Sequence, residues 1–171
     1  MNSATGLRQY QKPTKQNSMK TIRILVMIGI AALAISSTPA ADNPAAKADL
    51  AQLQGEWAMV SGTSDGREIP KERMEDSKRT CKGDETTVIV DGQLLFKARF
   101  TIDPSKKPKA IDYNITDGQA KGKKRLGIYE PSGDTVKFCF AAPGEERPTD
   151  FTSKSGDHRT SSEWKREKKQ G

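Results

Sequence analysis

Apolar and polar residues alternate along several short stretches of this chain. The alternation is clearest in residues 95–103, where every second residue from Phe96 to Ile102 is apolar and the residues between them are polar. The same period of two recurs in residues 111–115 and 135–140. It is the repeat of a β-strand that buries one face and exposes the other, as antiparallel sheets commonly do. The chain is therefore predicted to be mostly β.

Turn-forming pairs separate the predicted strands. Asp91-Gly92 lies between the apolar segments Thr87–Val90 and Leu94–Phe96, which predicts a tight hairpin, because Asp and Gly tolerate the positive φ angles of such a turn. Further turn signals are Asp65-Gly66, Asp117-Gly118 and Ser132-Gly133-Asp134.

Two short helices are predicted among the strands. One covers residues 45–53 and ends before Gly55, and the other covers residues 70–78 with Pro70 at its first position. Seven or eight short strands with so little helix indicate a small antiparallel meander, closed as a barrel or folded as a sandwich.

The N-terminal region has the pattern of an export signal. Lys20 and Arg23 precede an apolar run over residues 24–35, and small residues follow it. At about 1.5 Å per residue the run spans about 18 Å, too short for the roughly 30 Å of a membrane core, which argues against an uncleaved anchor. Residues 1–40 are therefore predicted to be an export signal region, with cleavage after Ala40 or Ala41. Translation starting at Met19 would give a signal of ordinary length.

The charge of the chain is concentrated at its ends. The formal net charge is +7, but residues 41–164 carry 20 basic and 21 acidic groups. A nearly neutral body argues against nucleic-acid binding. We expect a short helix or linker over 41–54, a β-domain over 55–166 and a basic tail over 167–171. Loose attraction of the basic clusters to anionic envelope polymers stays open.

The opening of the β-domain resembles that of lipocalin-type barrels. Gly55-Glu56-Trp57 has the Gly-x-Trp form that begins such barrels. The resemblance implies structural roles for Gly55, Trp57 and Arg166, with the Arg166 guanidinium on the last strand covering the tryptophan and closing the barrel floor.

A wider pattern resembles an uncharacterised exported domain family that is widespread in planctomycete bacteria. The resemblance covers roughly residues 53–166 and implies a small secreted or envelope domain, lipocalin-like, with no established activity. The family usually has an apolar final strand, whereas residues 153–163 are polar here. The motifs that carry the resemblance are Leu53–Trp57, Phe100–Pro104, Lys107–Asp112, Gly127–Glu130, Gly133–Cys139 and Arg147–Phe151.

Three residues are candidates for ligand binding. Asp112 lies within a strand pattern but faces away from the core, and Arg147 could pair with it structurally or join it in contacting a polar ligand. Tyr129, in the Gly127–Glu130 motif, is the third candidate. Asp103, Asp117 and Asp134 lie at strand ends or turns, where backbone hydrogen bonds explain an aspartate better than catalysis does.

Cysteine and histidine give few further sites. Cys81 and Cys139 can form one disulfide in an exported protein or remain two thiols. His158 is the single histidine and stands in a polar stretch without a nucleophile motif, and no metal-ligand spacing is present.

These observations favour an exported, monomeric binding module for a small ligand or an envelope component, located in the periplasm, the cell envelope or the medium. No cofactor and no lasting membrane span are expected. The alternatives are a hydrolase that uses rim carboxylates and a structural or adhesive envelope protein.

Overall fold

The structure, a computed structural model, describes residues 43–168. The predictions that fall wholly or partly outside these residues are the export signal over 1–40, the start at Met19, cleavage after Ala40 or Ala41, the helix or linker over 41–54, and the tail over 167–171.

Two helices and nine strands follow one another along the described chain. Their bounds are α1 Pro44–Leu53, β1 Gly55–Ser64, β2 Arg67–Glu68, α2 Lys71–Glu75, β3 Lys78–Lys82, β4 Glu85–Val90, β5 Gln93–Asp103, β6 Ala110–Gly118, β7 Lys124–Ser132, β8 Thr135–Phe140 and β9 Thr160–Arg166.

The strands form a closed antiparallel barrel. From β3 onward each strand pairs with the next, β1 pairs with β3, and β9 returns to pair with β1, so that the ring closes. The ring has eight strands, and β2 extends β1 as a two-residue hairpin arm outside it. The predicted β-class and barrel are confirmed, and the sandwich alternative is excluded because the sheet closes on itself.

The predicted alternation decides which side chains fill the barrel. Phe96, Phe100 and Tyr113 are buried on the inner face, and the rings of both phenylalanines pack against that of Tyr113. The cross-strand register explains these contacts, because Phe100 lies opposite Tyr113 and inward residues on neighbouring strands therefore meet. The other large buried residues of the same core are Leu53, Trp57, Met59, Val88, Ile111, Ile115, Tyr129, Val136, Phe138, Phe140 and Trp164.

The Asp-Gly pairs have two different roles. Asp91 and Gly92 have φ angles of 56° and 68° and form the predicted hairpin turn between β4 and β5. Asp117-Gly118, predicted as a turn, forms the last two residues of β6 instead. Gly118 has a φ of 92° there, and the β5–β6 register shifts close by, so its positive φ supports a bulge.

The second predicted helix is shorter than expected. Helix α2 ends at Glu75, and β3 begins at Lys78, so the prediction over 70–78 was too long. The helical signal in Lys71–Glu75 is local, whereas Lys78 pairs with both β1 and β4. Sheet pairing on both sides therefore overrides helix propensity at this boundary.

Candidate ligand-binding site

One end of the barrel is closed by an arginine stacked on a tryptophan. The guanidinium carbon of Arg166 lies 4.1 Å from the centre of the Trp57 ring. Its Nη1 donates to the carbonyl of Gln54 at 2.5 Å, and its Nη2 donates to that of Gln52 at 2.7 Å. The indole Nε1 of Trp57 donates to the carbonyl of Leu53 at 3.1 Å. The last strand is thus joined to the end of α1 beneath the barrel.

Gly55 leaves room for this arginine. It begins β1 with a φ of 107°, a conformation that side chains disfavour, and a Cβ there would lie 3.1 Å from Nη1 of Arg166. A side chain at this position would strain both the backbone and the closure.

A buried polar cluster holds helix α1 against the same end of the barrel. Asp49 is 5 % exposed, and its Oδ2 accepts a hydrogen bond from the Tyr129 hydroxyl at 2.6 Å and from Nζ of Lys109 at 2.7 Å. Burial and the carboxylate of Asp49 raise the pKa of Tyr129. Tyr129, a predicted ligand-binding candidate, is fully buried at this plugged end and its hydroxyl is used to fix the helix.

The opposite end of the barrel is hollow. A cavity of about 300 Å³, called the mouth cavity below, opens between α2 and the upper parts of the strands. Ligand pockets begin at about this size. Its lining combines apolar side chains with three arginines and several hydroxyls: Met59, Ser64, Ile69, Arg73, Arg79, Val88, Val90, Leu95, Phe96, Arg125, Phe140, Thr160, Ser162 and Trp164.

The polar last strand accounts for this hollow. Inward positions of β9 are occupied by Thr160 and Ser162, which lie opposite Phe140 and Phe138 of β8. These small side chains leave unfilled the volume that large apolar residues would take on the final strand. The Ser162 hydroxyl accepts a hydrogen bond from the Trp164 indole at 2.9 Å, which fixes the position of this hydroxyl at the cavity wall.

Arg79 brings a buried positive charge into the mouth cavity. It is 3 % exposed, and its guanidinium carbon lies 4.2 Å from the ring centre of Phe138 and 4.7 Å from that of Trp164. Its Nη1 donates to the Tyr113 hydroxyl, and its Nε is buried without a hydrogen-bond partner. Burial raises the pKa of Tyr113 to about 12, so this phenol stays neutral at ordinary pH and cannot balance the charge.

Arg125 is a second cation of the same cavity. Its Nε donates to the carbonyl of Ala141 at 3.0 Å, and its guanidinium carbon lies 5.4 Å from the Phe140 ring centre. Burial lowers the pKa of Arg125, and repulsion from Arg79 lowers it further. Among residues 43–168, none of the ion pairs within 4.0 Å includes Arg79 or Arg125.

The predicted pair of Asp112 and Arg147 lies on the outer surface of the barrel. Nη2 of Arg147 lies 2.6 Å from Oδ1 of Asp112, and Nζ of Lys124 lies 2.9 Å from its Oδ2. Nη1 of Arg147 also donates to the carbonyls of Ile111 at 3.1 Å and Gly127 at 2.6 Å. Arg147 therefore pins the connection over residues 141–159 across strands β6 and β7.

This connection, called the strap below, turns part of the outer face into a second buried layer. Pro148 of the strap is fully buried, and Ile128 and Cys139, on outward positions of β7 and β8, are 0 % exposed. An outer groove of about 530 Å³ beside the strap is lined by Asp103, Asp112, Arg147, Lys106, Lys107 and neighbouring residues. Tyr129 is not among its lining residues, so the three predicted ligand candidates do not form one site.

The aspartates considered for catalysis are engaged separately. The Ser105 hydroxyl donates to Oδ1 of Asp103 and lowers the pKa of that carboxyl, which is the opposite of what a general acid requires. Asp117 accepts from the amide of Gly118 at 2.9 Å, and Asp134 lies 3.8 Å from Nε of Arg166. Asp103 shares the outer groove with Asp112, whereas Asp117 and Asp134 are not among the groove's lining residues.

The two cysteines are free thiols in this structure. Cys81 faces the interior and its Sγ donates to Thr86 at 3.4 Å, whereas Cys139 faces outward and lies 3.7 Å from the carbonyl of Thr152. The disulfide considered from the sequence is therefore not formed, because the two side chains lie on opposite faces of the sheet. Burial raises the pKa of Cys139 to about 11.

Replacing Arg147 with alanine is expected to expose Cys139, because the strap that covers the thiol loses its contacts with Ile111, Gly127 and Asp112. In a Cys81→Ala background, we expect thiol labelling by a disulfide reagent at pH 8 to become at least tenfold faster. Since only the thiolate reacts, the rate should also rise about tenfold per pH unit below the pKa. Lys154→Ala, an exposed change in the same strap, is the control, and equal rates in both variants would refute this role of Arg147.

The remaining residues give no centre for metal chemistry in the part of the chain described. His158 is exposed, and its Nδ1 lies 4.0 Å from Oε1 of Glu145. Between residues 43 and 168, no group of three or more His, Cys, Asp or Glu side chains could hold a metal ion. None of the described helices has the length and apolar character needed to cross a membrane.

Comparisons with known protein families, with curated proteins and with solved structures found no match for this chain. The fold and the mouth cavity therefore define its class by themselves. It is a closed eight-stranded antiparallel barrel with one plugged end and one hollow end.

Proposed function

We propose that this protein is an exported, non-catalytic binding module that takes up a small ligand in the mouth cavity of its barrel. The single observation that carries the proposal is the cavity of about 300 Å³ reaching into the barrel from one end. Export rests on the signal pattern of residues 1–40, and the lipocalin-like opening at Gly55 and Trp57 agrees with a ligand-carrying barrel.

The mouth cavity fits a ligand better than the outer groove does. In the groove, Asp112 is already held by Arg147 and Lys124, and Asp103 by Ser105. A ligand there would have to displace satisfied partners. In the mouth cavity, Nε of Arg79 has no hydrogen-bond partner, and apolar side chains such as Val90 and Leu95 line the same space. Unfilled apolar space with a few convergent polar groups is the usual composition of a small-molecule site.

The proposal predicts saturable binding of an uncharged apolar probe. We expect one molecule of N-phenyl-1-naphthylamine to bind per barrel, measured by its fluorescence and by calorimetry. Thr160→Trp should weaken binding at least tenfold, because the indole would fill the mouth next to Phe140. Leu95→Trp is a second blocking variant from the other side of the cavity.

Lys165→Trp is the matched control, because Lys165 lies on the same strand but on its exposed outer face. It should bind the probe within twofold of the original protein. Absence of saturable binding, or equal binding in the blocked and control variants, would refute ligand uptake through the mouth.

A further inference from the structure

We propose that the ligand of the mouth cavity is a small amphipathic anion, whose acidic group lies between Arg79 and Arg125 and whose apolar part contacts the apolar side chains of the cavity. This inference rests on the proposed function, and it adds the chemical class and the orientation of the ligand. The inference is carried by two arginines that face an open cavity. Among the described residues that line this cavity there is no carboxylate.

Arg79 is the main observation because its charge is buried without compensation. A guanidinium in a protein interior normally has a carboxylate or several acceptors, since burying an unpaired charge is strongly unfavourable. Here Nη1 donates to the neutral Tyr113 hydroxyl, and Nε has no partner. The aromatic faces of Phe138 and Trp164 stabilise the cation in part, but they accept no hydrogen bond from its edge.

Arg125 strengthens the argument because it places a second positive charge near the first. Two like charges within a shared cavity repel each other, and the lowered pKa of Arg125 reflects that repulsion together with burial. A bound anion would remove the repulsion and supply acceptors to both guanidinium groups. Arginine is also the residue best suited to hold planar oxyanions through paired hydrogen bonds.

The orientation follows from the distribution of polar and apolar lining. Arg79 lies opposite Trp57 on the neighbouring strand, which places it toward the plugged end. Ile69, Val90 and Leu95 line the cavity nearer the mouth. An acidic group held by Arg79 therefore leaves an apolar chain in contact with these apolar side chains.

A matched pair of competitors tests the inference. Sodium decanoate and 1-decanol have the same chain and differ in the charged group, and each is used to displace N-phenyl-1-naphthylamine from the protein. Decanoate is expected to bind at least tenfold more tightly than decanol, because a charge-assisted hydrogen bond contributes about 1.5–3 kcal/mol, or roughly 10- to 150-fold in affinity.

Arg79→Met should abolish this preference, reducing decanoate affinity at least tenfold while changing decanol affinity less than about threefold. Arg125→Met should weaken decanoate at least threefold and is the second variant if Arg79→Met does not fold. Arg99→Met is the control, because it removes an exposed arginine on the outside of the barrel.

The outcomes separate this inference from the proposed function. Binding of the uncharged probe without any preference for decanoate over decanol would overturn the anion inference and leave ligand uptake standing. A decanoate preference that is unchanged in Arg79→Met and Arg125→Met would also overturn it. Failure of the uncharged probe and of both competitors to bind would refute the proposed function itself.

Discussion

Trp57→Ala is expected to lower the free energy of unfolding by about 3–5 kcal/mol, the usual range for removing a buried tryptophan. Trp57 is 1 % exposed, and its loss would leave a cavity beneath the barrel, remove the hydrogen bond to Leu53 and take away the ring on which Arg166 stacks. Because small domains have a total stability of about 5–15 kcal/mol, much of the population could unfold at room temperature.

Urea unfolding followed by far-UV circular dichroism measures this effect. Val60→Ala is the matched control, because Val60 lies on the same strand and is 46 % exposed, so its truncation should change stability by about 0.5 kcal/mol or less. A Trp57→Ala protein as stable as the control would show that the stacked closure of the barrel does not stabilise the fold.

Asp49→Ala is expected to reduce stability by about 2–4 kcal/mol, because it leaves a buried hydroxyl and an ammonium group without their shared acceptor. The carboxylate of Asp49 is the contact that ties helix α1 to Tyr129 of β7 and to Lys109. Without it, the helix keeps apolar anchors such as Leu53 and the hydrogen bonds from Arg166 at its C-terminal end, but it loses its polar connection to Tyr129 and Lys109.

A double-mutant cycle separates this contact from helix propensity. Asp49→Ala and Tyr129→Phe are measured singly and together, and a coupling energy of about 1 kcal/mol or more is expected for a direct hydrogen bond. Lys47→Ala, on the exposed side of the same helix, serves as the control. Strictly additive effects of the two changes would contradict a stabilising contact between Asp49 and Tyr129.

The local parts of the fold could be predicted from the sequence because the physics that sets them is local. Period-two alternation identified the inward face of residues 95–103, since successive side chains of a strand must point to opposite sides. Asp91-Gly92 identified a hairpin for a similar reason, because few residue pairs accept its backbone angles.

The parts of the fold that the sequence did not predict depend on contacts between residues distant in sequence. Residues 78–82 were not recognised as a strand, and the inward position of Arg79 was missed, because the preceding Lys71–Glu75 segment favours a helix. The alternation of Arg79 and Cys81 with their lysine and threonine neighbours was the available signal. No sequence signal indicated the strap, since it covers Cys139 only because Arg147 reaches carbonyls of two distant strands.

The candidate site was foreseen only in outline. A barrel mouth was expected, and the polar stretch before Trp164 was noticed as a departure from the family pattern. That this departure creates the cavity follows only from the register, which sets Thr160 and Ser162 opposite two phenylalanines. Asp112 and Arg147 were correctly linked as a potential pair, but the structure uses them to fasten the strap and not to line the barrel.

The contacts of Arg166 with Gln52 and Gln54 have a practical consequence for attaching this domain to other molecules. They bring the end of β9 next to the C-terminal end of helix α1, at the pole opposite the mouth cavity. A fusion partner or surface linker joined after β9 would therefore leave the opening facing solution.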